Sequence, residues 1–240
     1  MAGLTVSNPS DGVLDVKLDR APDNLLTIEL CGELTELLLR PPADAHVLRL
    51  RAAGPVFCLG RERAGTTPGD LRTESAVLVG LHRALRNTQL VTIAQVHGDA
   101  AGFGVGMLAA CDVAVATADA RFWFPEVGIG LAPALVLAWL PKAVGRRQAF
   151  WLTATGEKIS AERARELDLI NAVVPDQAAL VSDVDARIAA LRAHRPRVHT
   201  EIKEMLLAGR AVDEDLALTM SIDRLVVGSL RRTEEMTNTD

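Results

Sequence analysis

Four glycines lie at a spacing that suits the stabilisation of an anion. They follow the β-branched run Leu90–Val96 and are Gly98, Gly102, Gly104 and Gly106. A strand, a tight glycine turn and a helix start leave backbone N–H groups without partners at the positive end of the helix dipole. Such donors suit an oxyanion that develops on a carbonyl. The spacing does not match a dinucleotide-binding loop, whereas close packing of a helix that only glycine permits explains the pattern equally well.

One carboxylate interrupts an apolar segment downstream of these glycines. Glu126 follows Pro125 and is surrounded in the sequence by phenylalanine, tryptophan and aliphatic residues. A carboxylate in such surroundings is costly unless it is paired or functional. Glu126 is therefore a candidate general base or acid. A structural ion pair with Arg121 or Arg146 is the alternative that the residues leave open.

A second glycine turn lies nearer the N-terminus, in the segment VFCLGRE at residues 56–62. It follows an alternating run that predicts a strand, so it is a candidate source of another N–H donor. Metal-ligand spacing is absent: the histidines have no common motif, and the three cysteines are far apart. We therefore expect no metal site.

The elements that must position these residues alternate along the chain. Apolar runs predict strands at 13–18, 46–51, 90–96, 112–116, 121–124 and 169–174. Amphipathic stretches predict helices at 27–40, 74–86, 135–143, 146–153 and 161–167, and the chain is helical in pattern from Gln177 onward. We expect an α/β core domain at 1–190 and a helical C-terminal segment at 191–240.

Composition limits the partners. The net charge is −5, aromatic residues make up 3% of the 240 residues and tyrosine is absent, so nothing favours nucleic-acid binding. The apolar runs are too short to span a bilayer. Few, widely spaced cysteines fit reduced thiols. We expect a cytoplasmic protein with neither a nucleic-acid nor a membrane partner.

Four segments in chain order resemble the crotonase superfamily, also called the enoyl-CoA hydratase/isomerase family. The segments are VLDVKLDRAPDNLLT (13–27), VFCLGRE (56–62), the stretch from VTIAQVHGDAAGFGVG to PEVGIGLAP (91–133) and the stretch from LPKAVGRR to LINAVVP (140–175). Together they cover nearly the whole chain. This combination of motifs is far more specific than any one glycine turn.

The resemblance implies a spiral of β-β-α repeats whose helical C-terminal part builds a homotrimer or a hexamer. It implies an acyl-CoA thioester as substrate, fatty-acid metabolism as the setting and no cofactor besides the coenzyme A of that substrate. The backbone N–H groups of Arg61 and Phe103 would hold the thioester oxygen. Further residues predicted to contact the substrate are Cys58, Leu59, Gly60, Gly102, Trp123, Pro125, Leu135 and Lys203.

One departure from the family's motif bears on the reaction. Gly106 stands where the family's hydratases have the first of two catalytic glutamates, whereas the second is kept as Glu126. The family's 3,2-enoyl-CoA isomerases work with one carboxylate. We therefore expect single-base proton transfer by Glu126 through an enolate.

Three alternatives remain. The chain is a hydratase with a relocated acid such as Asp99, or an acyl-CoA-binding protein without turnover, or a structural subunit of a mixed assembly. Two features motivate the second alternative: the glycine at 106, and the bulk of Trp123 and Leu135, which could narrow or obstruct the acyl pocket.

Overall fold

A six-stranded sheet is the larger of the two sheets in the described residues. The computed structural model describes residues 3–209 and 212–237, and the strand order in this sheet is β1-β2-β3-β4-β6-β9. The strands are β1 (Leu4–Ser10), β2 (Val13–Leu18), β3 (Val47–Ala52), β4 (Val91–Val96), β6 (Val113–Thr117) and β9 (Ala172–Val174). Every neighbouring pair is parallel except β1 and β2.

A smaller three-stranded sheet lies beside the glycine-rich turn. It consists of β5 (Ala100–Ala101), β7 (Arg121–Trp123) and β8 (Ile159–Ser160), in the order β5-β7-β8. The first pair is parallel and the second antiparallel. This sheet therefore connects the turn before the helix at 103 with the segment that leads to Glu126.

Helices account for most of the remaining chain. The described helices are α1 (Ile28–Leu39), α2 (Pro68–Asn87), α3 (Phe103–Ala110), α4 (Ala134–Leu137), α5 (Leu140–Val144), α6 (Arg146–Thr155), α7 (Ala161–Glu166), α8 (Gln177–Arg192), α9 (Pro196–Gly209) and α10 (Glu214–Thr237). A 3-10 helix, Pro125–Ile129, precedes α4. No helix of the described residues is long and apolar enough to cross a membrane.

Hydrophobic patterning accounts for the layers. Every second residue of β2 is buried, whereas all six residues of β4 are buried because both faces of that strand are covered. The hydroxyl of Thr27 accepts a hydrogen bond from the Leu30 amide and caps α1, whose apolar face packs in the core. The expected α/β architecture is confirmed.

Three element predictions were wrong in detail. The pattern missed β1, whose sequence LTVSNPS lacks a run of alternating apolar residues. Helix α2 begins at Pro68, six residues earlier than predicted, because Thr67 and Asp70 form a capping box. The single helix predicted at 135–143 is two short helices, α4 and α5.

The chain divides into two compact units, Met1–His194 and Arg195–Asp240. The first contains both sheets and helices α1 to α8, and the second contains α9 and α10. The domain boundary predicted from sequence was at 190. Residues 210–211 and 238–240 of the predicted C-terminal segment lie outside the described residues.

Helix α3 packs directly against the backbone of Cys58. A Cβ added to Gly104 would stand 2.2 Å from the carbonyl oxygen of Cys58 and 3.0 Å from its carbonyl carbon. A Cβ added to Gly106, two residues further along the helix, would meet only the Trp139 ring at 3.8 Å and the Phe103 ring at 3.9 Å, which is ordinary contact. Glycine at 104 is thus a requirement of packing, whereas glycine at 106 is not.

These two glycines make a matched pair for a stability test. We expect Gly104→Ala to lower the free energy of unfolding by about 1–3 kcal/mol, the usual cost of overpacking. Gly106→Ala should be neutral or stabilising by up to about 1 kcal/mol, since alanine favours a helix over glycine. Urea unfolding monitored by circular dichroism measures both. Equal stability of the two variants would contradict the close approach of α3 to Cys58.

Candidate active site

A cavity of about 390 Å³ opens in the first unit, among the segments singled out in the sequence. Its walls come from the turn after β3, the start of α3, the 3-10 helix and the beginning of α4. Eight of the eleven predicted site residues line it: Leu59, Gly60, Arg61, Gly102, Phe103, Pro125, Glu126 and Leu135. The fold therefore brings together side chains that are up to 76 residues apart in sequence.

Backbone hydrogen bonds hold the two glycine turns side by side. The Cys58 amide donates to the Asp99 carbonyl at 3.2 Å, and the Ala101 amide donates to the Cys58 carbonyl at 2.9 Å. Gly60 and Gly102 have φ angles of +118° and +51°, values that other residues rarely adopt. These two glycines reverse the chain just before Arg61 and Phe103.

The amides of Arg61 and Phe103 are both available as donors. Within the described ranges 3–209 and 212–237, neither N–H group donates a hydrogen bond to the protein. The groups around them are fixed: the Leu26 amide donates to the Gly60 carbonyl at 3.0 Å, and the Gly102 amide donates to the Trp123 carbonyl at 2.9 Å. Two unpaired donors on one cavity wall are what an oxyanion requires.

Glu126 lies across from the second turn. Pro125 begins the 3-10 helix, so Glu126 is its second residue. One carboxylate oxygen, Oε1, lies 3.1 Å from the point where a Cβ on Gly102 would stand. The other, Oε2, is buried without a hydrogen-bond partner among the described residues. A side chain at position 102 would crowd this carboxylate.

The structural ion pair considered for Glu126 is wrong. Glu126 makes no salt bridge in the part of the chain that the structure describes. The Arg121 guanidinium instead donates to the backbone carbonyls of Ala118, Asp119 and Ala120. A carboxylate with an unpaired buried oxygen beside two free N–H donors is chemically available as a base.

Aromatic rings lie beside Gly106. The Trp139 ring that faces Gly106 stacks on His82 with ring centroids 6.1 Å apart and meets Phe124 edge-on. Burial, together with the nearby charge of Arg86, lowers the pKa of His82 and favours the neutral imidazole. Among the described residues, Glu126 is the only carboxylate that lines the cavity.

Asp99 does not line the cavity either. Its Oδ1 accepts a hydrogen bond from the Arg121 amide at 2.9 Å, and its backbone carbonyl accepts from the amides of Phe57 and Cys58. These bonds support the turn that carries the Phe103 amide. The contacts of Asp99 are therefore those of a residue that organises the backbone.

Two residues of the first unit that were predicted to contact substrate do not line the cavity. Cys58 is fully buried, its thiol lies 3.4 Å from the Gly60 carbonyl, and burial raises its pKa to about 12. The Trp123 ring lies under the ammonium group of Lys158, at 4.0 Å, and only its carbonyl holds the second turn. That Trp123 narrows or obstructs the acyl pocket stays a prediction, although the residue does not line this cavity.

Lys203 is in the second unit, where it is largely buried in α9. Its predicted contact with phosphate stays a prediction. No group of three or more histidine, cysteine, aspartate or glutamate side chains suited to a metal occurs in the described residues.

One residue of the site was missed in the sequence. Glu74 is buried in α2, and its carboxylate pairs with the Arg61 guanidinium at 3.0 Å. Its spacing with Leu78 and Leu81 puts it on the buried face of the helix. The capping box of Thr67 and Asp70 was the signal that would have placed this residue inside the helix instead of at its first position.

Comparisons with known proteins agree with this geometry. The family model described as enoyl-CoA hydratase/isomerase matches residues 8–238. A probable enoyl-CoA hydratase of Rhodobacter capsulatus is 34% identical over 70% of this chain and 67% of its own length. A probable enoyl-CoA hydratase of Bacillus subtilis is 26% identical over 93% and 85%. The enoyl-CoA hydratase domain-containing protein 3 of Rattus norvegicus is 32% identical over 72% of this chain but only 60% of its own length.

Solved structures show the same architecture. The enoyl-CoA hydratase of Mycobacterium smegmatis superimposes with a TM-score of 0.89 at 27% identity, over 95% of this chain and 91% of that one. A putative enoyl-CoA hydratase of Thermobifida fusca, solved in complex with CoA, gives 0.86 at 26% identity, over 97% and 95%. The expected crotonase-like fold is confirmed. The protein thus belongs to the enoyl-CoA hydratase/isomerase family.

Proposed function

We propose that this protein moves a proton on an acyl-CoA thioester and converts a 3-enoyl-CoA into a 2-enoyl-CoA, with Glu126 as its single base. The observation that carries the proposal is the cavity lining: one carboxylate shares the wall with two unpaired backbone donors. Support for a coenzyme A thioester comes from the family and from the relative solved with CoA. No cofactor is needed for a proton transfer of this kind.

The steps follow from the positions of these groups. The thioester oxygen accepts hydrogen bonds from the amides of Arg61 and Phe103, and Glu126 removes the proton from C2. The electron pair of that C–H bond delocalises to give a dienolate. The two amides stabilise the negative charge on its oxygen. Protonated Glu126 then returns the proton to C4, and the double bond moves from C3–C4 to C2–C3. Each donor of this type contributes about 10²–10³-fold to the rate.

Hydration is the second candidate, and the names of the relatives favour it. It would require a group that activates water as well as one that protonates carbon. The position of the family's first glutamate is Gly106, which faces the Trp139 ring. Among the described residues, no second carboxylate lines the cavity. This supports isomerisation, which needs only one base.

A third candidate function is binding of an acyl-CoA without turnover. The unpaired Glu126 oxygen argues for catalysis, because a buried carboxylate oxygen without a hydrogen bond costs stability. Lys203 remains a candidate contact for the CoA phosphates, since lysine binds phosphate as a point charge.

We further propose a homotrimer, or a hexamer made of two trimers, in the cytoplasm. The second unit carries many exposed apolar side chains: Ile202, Met205, Leu206, Leu216, Leu218, Met220, Ile222, Leu225, Val226, Val227 and Leu230. Apolar surface on this scale indicates an interface. The three cysteines are free, as expected for a reducing compartment.

The assembly is open to a direct test. Sedimentation equilibrium should return three or six times the 25.7 kDa of one chain. Leu225→Glu should shift the protein toward monomer, because it introduces a charge at an exposed apolar position of α10. Asp223→Asn, in the same helical turn, is the control that adds no charge. A wild type that sediments as a monomer at micromolar concentration would refute the proposed trimer.

The reaction is tested by product analysis. Purified protein is mixed separately with a 3-enoyl-CoA and a 2-enoyl-CoA, and the products are separated by chromatography. We expect the 3-enoyl ester to become the 2-enoyl ester, and Glu126→Gln to slow this by about 10²–10⁴-fold, the usual contribution of a general base. Glu62→Gln is the matched control, since this nearby carboxylate pairs with Arg20 and does not line the cavity.

Other products would point to the other candidates. A 3-hydroxyacyl-CoA formed from the 2-enoyl ester would identify a hydratase and contradict the single-base reaction. Unchanged substrates with measurable affinity would indicate a binding protein. Equal rates of Glu126→Gln and wild type would remove Glu126 from the mechanism.

A further inference from the structure

Glu74 is a buried charge behind the cavity wall. Glu74 is 7% exposed, and it does not line the cavity. The Oε2 oxygen accepts a hydrogen bond from the Arg61 guanidinium at 3.0 Å. The Oε1 oxygen accepts from the backbone amide of Ala64 at 3.3 Å and from the amide of Gly65. One carboxylate thus binds three points on the segment 61–65.

Burying this carboxylate costs stability, and the packing of α2 does not require a charge at this position. A buried carboxylate loses its hydration, and only full pairing offsets that loss. An apolar residue at this helical position, in line with Leu78 and Leu81, would pack the same face without the charge. A function for the charge therefore has to be sought in what it holds.

What Glu74 holds is the peptide that carries the first oxyanion donor. Gly60, with a φ of +118°, allows the peptide between residues 60 and 61 to rotate more freely than any other residue would. One backbone bond holds the peptide before Arg61, because the Gly60 carbonyl accepts from the Leu26 amide, and one holds the peptide after it, because the Glu62 amide donates to the Leu26 carbonyl. The side chain of Arg61, tied to Glu74, adds a third attachment, which restrains the residue between these two peptides.

We propose that Glu74 is a positioning residue that holds the Arg61 amide in the orientation the thioester oxygen requires. It acts through the Arg61 guanidinium and the amides of Ala64 and Gly65. The inference rests on the proposed function, in which that amide stabilises the enolate. Arg61 thus has two separate roles: its backbone donates to the substrate, and its side chain anchors that backbone to α2.

The test separates positioning from mere stability. In Glu74→Gln the remaining amide oxygen still accepts from the backbone of 64–65, but the charge that attracts Arg61 is lost. Because the enolate oxygen needs this donor more than the ground-state carbonyl does, kcat should fall by about 10–100-fold while KM changes by less than about 3-fold. Circular dichroism should report a folded protein.

Asp70→Asn is the control on the same helix. Asp70 is exposed and caps the start of α2 through the Thr67 amide, 3.2 Å away, without touching Arg61 or the cavity. Its loss should lower the melting temperature and leave kcat within about 2-fold of wild type, since a lost cap affects stability. A purely structural Glu74 would behave like Asp70.

A double-variant cycle keeps the proposal testable if Glu74→Gln folds poorly. Arg61→Met removes the guanidinium and keeps the backbone amide, and Arg61→Met with Glu74→Gln leaves no unpaired charge. If the pair acts as a unit, the double variant should lose no more kcat than the worse single variant. Losses that multiply would contradict the proposal.

Two failures are distinguishable. A wild type that isomerises substrate while folded Glu74→Gln matches its kcat would overturn the positioning role and leave the proposed function intact. A wild type without any turnover would overturn the proposed function, and with it the role assigned to Glu74.

Discussion

The close approach of helix α3 to the backbone of Cys58 is the constraint on which the site depends. With the Gly104 Cα against a carbonyl oxygen, the first turn of α3 lies beside the turn after β3. That contact is possible only because glycine has no Cβ. It brings two backbone amides from separate glycine turns to one cavity, at the positive end of a helix dipole. The donors are built from backbone, so the side chains at 61 and 103 are free to serve other purposes.

The remaining features of the site concern charge. Two neutral donors and one carboxylate with an unsatisfied buried oxygen line the same cavity, and the stacked rings of Trp139 and His82 lie beside Gly106. A developing enolate therefore meets dipoles fixed in advance, which do not have to reorganise as charge appears. The ion pair of Arg61 and Glu74 lies behind this wall and fixes one of the donors. A single base with a preorganised oxyanion site is sufficient for a proton to leave one carbon and return to another.

Much of the fold was predictable because its signals are local. The alternation of Val13–Leu18 and the apolar run at Leu90–Val96 mark strands by period and burial. The glycine turns and Glu126 were found by spacing and by the cost of a lone carboxylate. Contacts between distant segments were not predictable in this way: Gly106 lies beside the Trp139 ring, 33 residues later, and the Trp123 ring lies against the ammonium group of Lys158. The role of Glu74 was not predictable because the pattern indicates a loop at Pro68 and its neighbours. These residues begin a capped helix, which puts Glu74 on its buried face.

The central claim is that Glu126 removes the proton at C2 of a thioester whose oxygen is held by backbone amides. The most direct measurement is hydrogen–deuterium exchange at C2 of a saturated acyl-CoA in deuterated water, followed by mass spectrometry. This substrate has no double bond to move or hydrate, so exchange reports enolate formation alone. We expect wild type to exchange, and Glu126→Gln to exchange at least about 10²-fold more slowly. A wild type that binds the ester without exchange, or a variant that exchanges as fast as wild type, would contradict the claim.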